Sequence, residues 1–264
     1  MRPNRKTGQD VQVFVISLRE STERRARIKK QLDQKGLDFQ FFDAIDSYSH
    51  ASLLEERENI QKTQRVKGYR LQNTELACFA SHRCLWEKCV ENQRSMIILE
   101  DNVDLKDFSV ESLLKIYEQS REFFYIKLSA TNKKSFIKIK KLDGNYFLGQ
   151  YTGNTCGTTA YIISPAAAKA FLGDSEQFLE PVDDYMEKTW KHGVKTYSVS
   201  PCLFERAKIS STIGTFSSRK RKLNITLAKR LYIEAYRLVE GCLRFFFFMD
   251  WKKIIKYKIQ RHWF

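Results

Sequence analysis

The chain has 264 residues, 42% of them hydrophobic and 13% aromatic, enough to bury a large core and too apolar for a disordered chain. Its formal charge is +15, but residues 219–264 hold 13 Lys/Arg against Glu234, Glu240 and Asp250, so this stretch carries +10 and residues 1–218 only +5. Six cysteines without a CxxC pair exclude a disulfide-dense scaffold, and the lack of a run of about 18 apolar residues excludes a membrane-spanning helix.

Residues 1–10 are polar and basic and the apolar run after them is short, so no secretion signal is expected and residence in the cytoplasm is. Val13-Phe14-Val15-Ile16 predicts a buried strand. Ser21-Thr22-Glu23 then starts a basic helix that Gly36 should stop, and residues 39–45 predict a second strand. This β-α-β order favours a parallel pair with a right-handed crossover, and with it an α/β fold. Residues 46–72 are polar and weakly patterned and predict a mobile connection. From Asn73 or Thr74 a helix should run to about Val90, with Leu76, Phe79, Ala80, Trp86 and Val90 on its apolar face. The run Met96-Ile97-Ile98-Leu99 predicts the next strand, residues 110–117 a helix and residues 124–128 a strand. Residues 136–147, broken by Asp143-Gly144, resemble a hairpin. A strand over 158–164, a helix from Pro165 to about Gly173, a helix from Pro181, a strand over 195–199 and a loop at 210–218 complete the order.

The strand at 96–99 opens onto Glu100, Asp101, Asn102 and Asp104, which delivers acidic groups to the edge where open α/β sheets bind ligands. Oxygens this close suit a hard divalent cation, with a nucleotide diphosphate supplying its remaining ligands; a solvated turn is the alternative. Asp101 is the first-choice metal ligand. Asp104 and Glu100 come next, because adjacent strand residues point to opposite faces. Ser17 and Arg19 follow the first strand, where such sheets meet a nucleotide, and Arg24-Arg25 can face a diphosphate, although a solvated helix face accounts for at least one of them. Glu75 and His82 lie almost two turns apart and can share a helix face; a satisfied core histidine is the alternative. Gly153 to Thr159 is a hydroxyl-rich run suited to contacting a sugar, or an ordinary turn.

Taken together, Val15-Ile16-Ser17-Leu18 with Arg24-Arg25, Glu75-Leu76-Ala77-Cys78 with Ser81-His82, Ile98-Leu99-Glu100-Asp101, and Pro181-Val182-Asp183-Asp184 resemble glycosyltransferase family 25. That family contains bacterial lipooligosaccharide galactosyltransferases and related collagen-modifying enzymes. The resemblance implies an A-type nucleotide-sugar transferase fold (GT-A, Rossmann-like) for residues 1–218, a UDP-sugar donor and a divalent metal such as Mn²⁺. It further implies inverting β-1,4-galactosyl transfer to a lipooligosaccharide or lipopolysaccharide acceptor, with a glucosyltransferase of the same family as the nearest alternative. On this footing Asp101 and Asp104 bind metal, while Ser17, Arg19, Arg25, Glu75, His82 and Glu100 contact the donor. Asp183, which matches the family's Pro-x-Asp, is the base, and Asp184 is the next candidate. Acids in a first helical turn also complement the helix dipole without any catalytic part. One departure stands out: where the family shows Glu-Asp-Asp, this chain has Glu100-Asp101-Asn102, which takes one charge from a metal site.

In residues 219–264, Leu227, Leu231, Leu238, Cys242, Phe245 and Met249 fall near helical spacing, and Trp251, Ile254, Ile255 and Ile259 continue among lysines. That pattern predicts a basic, aromatic helical appendage lying on an anionic membrane surface, and the resemblance implies that this surface is the inner face of a bacterial cytoplasmic membrane. Phe245 to Phe248 surround a helix axis too fully for one face, so part of the run is expected to pack on the catalytic domain, and a helical pair that packs as core or forms a dimer is the alternative for the whole tail. A basic tail with aromatics also fits a nucleic-acid-binding protein, but its aromatics cluster with Leu and Ile, so no nucleic-acid partner is expected.

Overall fold

The computed structural model describes residues 11–132, 135–209 and 226–262, so the loop expected at 210–218 lies outside the described residues. Strand β1 (Gln12–Ser17) is buried along almost its whole length, as an unbroken apolar run requires of a central parallel strand. Val13 and Val15 face one core and Phe14 and Ile16 the other, on opposite sides of the sheet. Helix α1 (Thr22–Lys35) covers the first core with Ile28 and Leu32 and stops where Gly36 takes a left-handed φ of 68°. Strand β2 (Gln40–Asp43) pairs parallel to β1, as the β-α-β order predicts.

Residues 46–72, expected to be mobile, instead contain helices α2 (Ala51–Arg57) and α3 (Ile60–Lys67). Their buried apolar side chains, Leu54 and Val66, are too few to write a period into the sequence. Capping compensates, since Asn59 Oδ1 accepts from Lys62 N at 3.0 Å. Buried Glu58 accepts from Leu71 N at 3.0 Å and pairs with Arg70, which ties this segment to helix α4 (Asn73–Glu91). The Glu75 carboxylate accepts from Gln72 N at the start of α4, and Leu76, Phe79, Leu85 and Trp86 fill the second core.

Strand β3 (Met96–Glu100) runs parallel to β1, with Ile16 opposite Glu100. Then follow β4 (Val103–Leu105), α5 (Val110–Glu118), α6 (Ser120–Phe123) and β5 (Tyr125–Lys127). The expected hairpin is β6 (Phe136–Lys141) with β7 (Phe147–Tyr151), and it needs Gly149, because a Cβ there would lie 2.1 Å from the Ile137 carbonyl oxygen. Strand β8 (Ala160–Ile163), α7 (Pro165–Gly173), α8 (Val182–Met186) and β9 (Tyr197–Ser200) come close to their expected places, and a short helix that was not expected, α9 (Thr189–His192), follows α8. Strand β10 (Phe204–Arg206) was not expected and pairs antiparallel with β4 in a separate ribbon. The main sheet has the order β2-β1-β3-β8-β5-β9-β7-β6, parallel through β2-β1-β3 and mixed beyond, with helices on both faces. The fold is therefore the α/β class expected.

Helices α10 (Leu227–Phe247) and α11 (Trp251–His262) pack on this body. Phe248, Met249 and Ile254 join the first core. Gln150 Nε2 donates to Phe248 O at 3.0 Å, and Asp250 N donates to Gln150 Oε1 at 2.6 Å. Glu240 of α10 pairs with Lys67 and Lys188 beside Glu180. Burial pushes the Glu180 carboxyl up, but Lys188, Lys67 and Lys191 outweigh it and hold the group at about 2. The face of α10 turned away carries Leu227, Leu231, Leu238 and Phe245, with Leu238 72% and Phe245 71% exposed. Phe248, by contrast, is 3% exposed, so the phenylalanine run divides between core and surface as expected.

One buried ion pair fixes the loop before β8. Lys127 Nζ and Glu187 Oε1 lie 2.7 Å apart, Glu187 accepts from Thr155 N and Oγ1, and Lys127 donates to Cys156 O. Removing one partner leaves the other charge stranded, so Glu187→Ala should cost about 3–5 kcal/mol in denaturant unfolding, and Lys127→Met with Glu187→Met should recover most of it. A single variant as stable as the parent would mean that the pair does not lock this loop.

Candidate active site

Parallel pairing brings the ends of β1 and β3 to one edge of the sheet, so Ser17 meets Glu100 and Asp101 there. Ser17 Oγ donates to Asp101 Oδ2 at 2.7 Å, and Asp101 N donates to Ile16 O at 3.1 Å. Arg24, in the first turn of α1, reaches Asp101 Oδ1 at 3.2 Å. Beside them lies a cavity of about 310 Å³ walled also by Asp46, Tyr48, Thr74, Ser81 and Asn102, within the usual size of a small-molecule cleft. A compartment of about 80 Å³ adjoins it, sharing Cys78, Glu100 and Asn102, and is completed by Glu75, Gly157-Thr158-Thr159, Asp183 and Arg206. A larger cavity, about 860 Å³, opens near Ser95, Phe124 and Ser164 at the amino ends of β1, β3 and β5. Ligands of open α/β sheets take the carboxyl edge, which favours the two smaller compartments.

Glu100 is the hinge between them. It accepts from Thr158 Oγ1, and its Oε1 lies 3.6 Å from His82 Nε2. Burial opposes its ionisation, yet His82, Thr158 and Asn102 together hold its carboxyl below the usual range. His82 is fully buried, with Nδ1 2.8 Å from the Tyr161 hydroxyl, which Trp86 Nε1 approaches at 3.1 Å. Since the indole can only donate, the Tyr161 proton is directed to His82 Nδ1, which leaves the Nε2 proton facing Glu100. His82 thus acts on the site through Glu100 and touches neither compartment itself. Across the smaller compartment, Asp183 Oδ2 accepts from Gly157 N at 3.2 Å and Oδ1 from Asp184 N at 3.0 Å.

Of the residues singled out in the sequence, Ser17, Glu75, Glu100, Asp101 and Asp183 line the two compartments and His82 supports them. Arg19 does not join them, because it pairs with Asp43 at the surface. Arg25 holds the Ser17 and Leu18 carbonyls and also pairs with Asp43, so Arg24, one residue and about 100° earlier on the helix, faces the cavity instead. Asp184 sits beside Asp183 without lining the compartment. Asp104 turns to α1, where Arg27 and Gln31 Nε2 hold it. Arg206 had no local signal: only the pairing of β10 with β4 carries it here.

The expected metal pair, Asp101 with Asp104, therefore does not converge. Asn102 Oδ1 is buried without a hydrogen-bond partner among the described residues, but it carries no charge, and Asp101 is already offset by Arg24. The group whose ligand atoms do gather within 4.8 Å, Cys78, His82 and Glu100, offers sulfur and nitrogen, not the all-oxygen set of a hard cation. These residues do not fit a complete Mn²⁺ site.

A family model described as "Glycosyltransferase family 25 (LPS biosynthesis protein)" matches residues 10–186. The chain is 31% identical over 212 residues to the lacto-N-neotetraose biosynthesis glycosyltransferase LgtE of Neisseria gonorrhoeae, covering 73% of each chain. It is 30% identical over 206 residues to the lipooligosaccharide biosynthesis protein lic2B of Haemophilus influenzae, covering 71% of this chain and 73% of that one. Among solved structures, a Drosophila β-1,4-galactosyltransferase 7 variant in complex with manganese, UDP-Gal and xylobiose aligns over 84% of this chain and 78% of its own, at 8% identity and a TM-score of 0.43.

Burial first, and then the charge of Asp183, raise the Asp184 carboxyl from 3.8 to about 6. The fold thus retains a proton that the unfolded chain gives up near pH 4, so stability falls as pH rises from about 4 to 6 and the loss persists above. Asp184→Asn should stabilise the protein by roughly 2 kcal/mol at pH 7.5, and this gain should vanish at pH 4. Chemical unfolding at the two pH values checks it; an equal effect at both would remove the assignment.

Proposed function

The chain belongs to glycosyltransferase family 25, and on that footing we propose that it transfers a hexose, galactose by preference, from a UDP-sugar to a lipooligosaccharide or lipopolysaccharide acceptor, forming a β-1,4 bond with inversion. The observation that carries this reading is the meeting of two compartments at Glu100 and Asn102, with the Asp183 carboxylate opposite. The nucleotide takes the larger compartment beside Ser17 and Asp101. The reacting end of the hexose takes the smaller one, against Glu75, Glu100 and the Thr158-Thr159 hydroxyls, and the acceptor hydroxyl enters beside Asp183.

The acceptor oxygen forms its bond to the anomeric carbon as the bond from that carbon to the β-phosphate oxygen breaks. The electron pair leaves with UDP, and the acceptor proton passes to the Asp183 carboxylate. Hydrogen bonds from Gly157 N and Asp184 N fix that carboxylate, so its orientation is set before substrate arrives. Attack opposite the leaving group inverts the anomeric centre. No step above depends on a divalent cation, for which these residues do not form a complete site.

Residues 219–264 are proposed to hold the enzyme at the anionic cytoplasmic face of the membrane. The exposed Leu231, Leu238 and Phe245 supply an apolar face on α10, Trp251 is exposed on α11, and exposed Lys252, Lys256 and Lys258 supply headgroup contacts of about 1 kcal/mol each. No helix among the described residues is long and apolar enough to cross the membrane.

With a soluble oligosaccharide acceptor, UDP-galactose should support transfer better than UDP-glucose, and Asp183→Asn should lower kcat by about 10²-fold with donor KM nearly unchanged. Loss of donor affinity in that variant would place Asp183 on the donor and the base elsewhere. On the membrane side, Leu238→Glu with Phe245→Glu should abolish co-sedimentation with anionic vesicles while the circular dichroism spectrum stays unchanged, because both side chains face solvent. Undiminished sedimentation would remove the anchor.

A further inference from the structure

We propose that Arg24 and Arg206, two guanidiniums standing on either side of Glu100-Asp101-Asn102, take up the charge of the departing nucleoside diphosphate in place of a divalent cation. This inference rests on the UDP-sugar reading above. The acidic turn falls short of a cation site in three separate ways: position 102 is an amide, Asp101 is offset by Arg24 at 3.2 Å, and Asp104 is drawn off by Arg27. The last of these is built into the fold. Arg27 Nη2 donates to both the Asp101 and Val103 carbonyls at 2.8 Å, so it fixes the turn that directs Asp104 away.

The positive charge comes from two elements that the same turn positions. Arg24 enters the larger compartment from α1. Arg206 enters the smaller one from β10, which is registered against β4 with Arg206 opposite Val103 and Ala207 N donating to Asn102 O at 2.7 Å. Arg206 shares its compartment with Glu75, Glu100 and Asp183, yet its exposed side chain makes no ion pair or hydrogen bond among the described residues. A guanidinium that lines the same compartment as three carboxylates and is bound to none of them is available to an entering anion. Arg206 brings an unpaired charge and Arg24 one that it shares with Asp101, and both stay protonated at any working pH and present forked donors that fit phosphate oxygens. Fixed cations aimed where negative charge develops need no reorganisation as the bond breaks.

The test compares the full-length wild type with Arg206→Ala and Arg206→Lys, in EDTA and in Mn²⁺, by transfer kinetics and by calorimetric binding of UDP and of uridine. Wild type should keep most of its transfer rate in EDTA. Arg206→Ala should lose about 10²–10³-fold in kcat, with partial recovery on adding guanidinium ion, and Arg206→Lys should fall between. UDP affinity in EDTA should drop at least tenfold in Arg206→Ala while uridine affinity holds, which tests the role even without turnover. Strict dependence of wild type on Mn²⁺, or UDP binding and turnover indifferent to Arg206, would overturn the proposal. Failure of wild type to bind UDP or any UDP-sugar would instead overturn the donor reading and this inference with it.

Discussion

The in-register parallel pairing of β1 with β3 is the constraint on which the rest depends. Because both strands point the same way and end within one residue of each other, Ser17 and Asp101 meet and bond at 2.7 Å. A shift of one residue would turn Asp101 to the other face of the sheet and put Glu100 or Asn102 opposite Ser17 at the end of β1. From that junction α1 leaves with Arg24 facing the cavity, β4 leaves to receive β10, and Glu100 comes within reach of α4. The site is therefore a product of strand register more than of any single loop.

Polar groups buried behind the site do the positioning. Tyr161, His82 and Glu100 form a line from the second core to the junction of the compartments, and Lys127 with Glu187 holds the 155–159 run from the other side. In a low-dielectric interior an unpaired polar group is costly, so the bonds that Tyr161 and Glu187 make hold their geometry, while His82 Nε2 stands 3.6 Å from Glu100 without a hydrogen bond. Glu187 also lies 3.8 Å from Arg244 of α10, and Glu240 of the same helix joins the Lys67, Lys188 and Glu180 cluster just behind α8. The helix that exposes an apolar face to its surroundings is thereby keyed to the segment that carries Asp183.

Sequence pattern carried the parts of this architecture that are written locally. The apolar runs of β1 and β3, the stops at Gly36 and Gly173, Pro165 at a helix start and the split of the phenylalanine run are short-range properties, and the structure has them. Helices α2 and α3 were illegible because capping and the buried Glu58 hold them, with too few apolar residues to set a period. Arg24 and Arg25 are not told apart by pattern, since a sequence does not fix a helix's rotation about its axis to within one residue. Asp104 looked like a ligand because its partner, Arg27, lies 77 residues away. Arg206 could not be found at all without the β4 to β10 pairing, which depends on tertiary contact alone.

Hydrogen exchange of the full-length protein with and without saturating UDP tests the location of the site most directly. The account predicts slowed exchange confined to the carboxyl edge of the sheet, at residues 17–24, 44–48, 100–103 and 206–207. Protection gathered instead around residues 93–95, 117–124 and 164–169, where the cavity of about 860 Å³ lies, would contradict it.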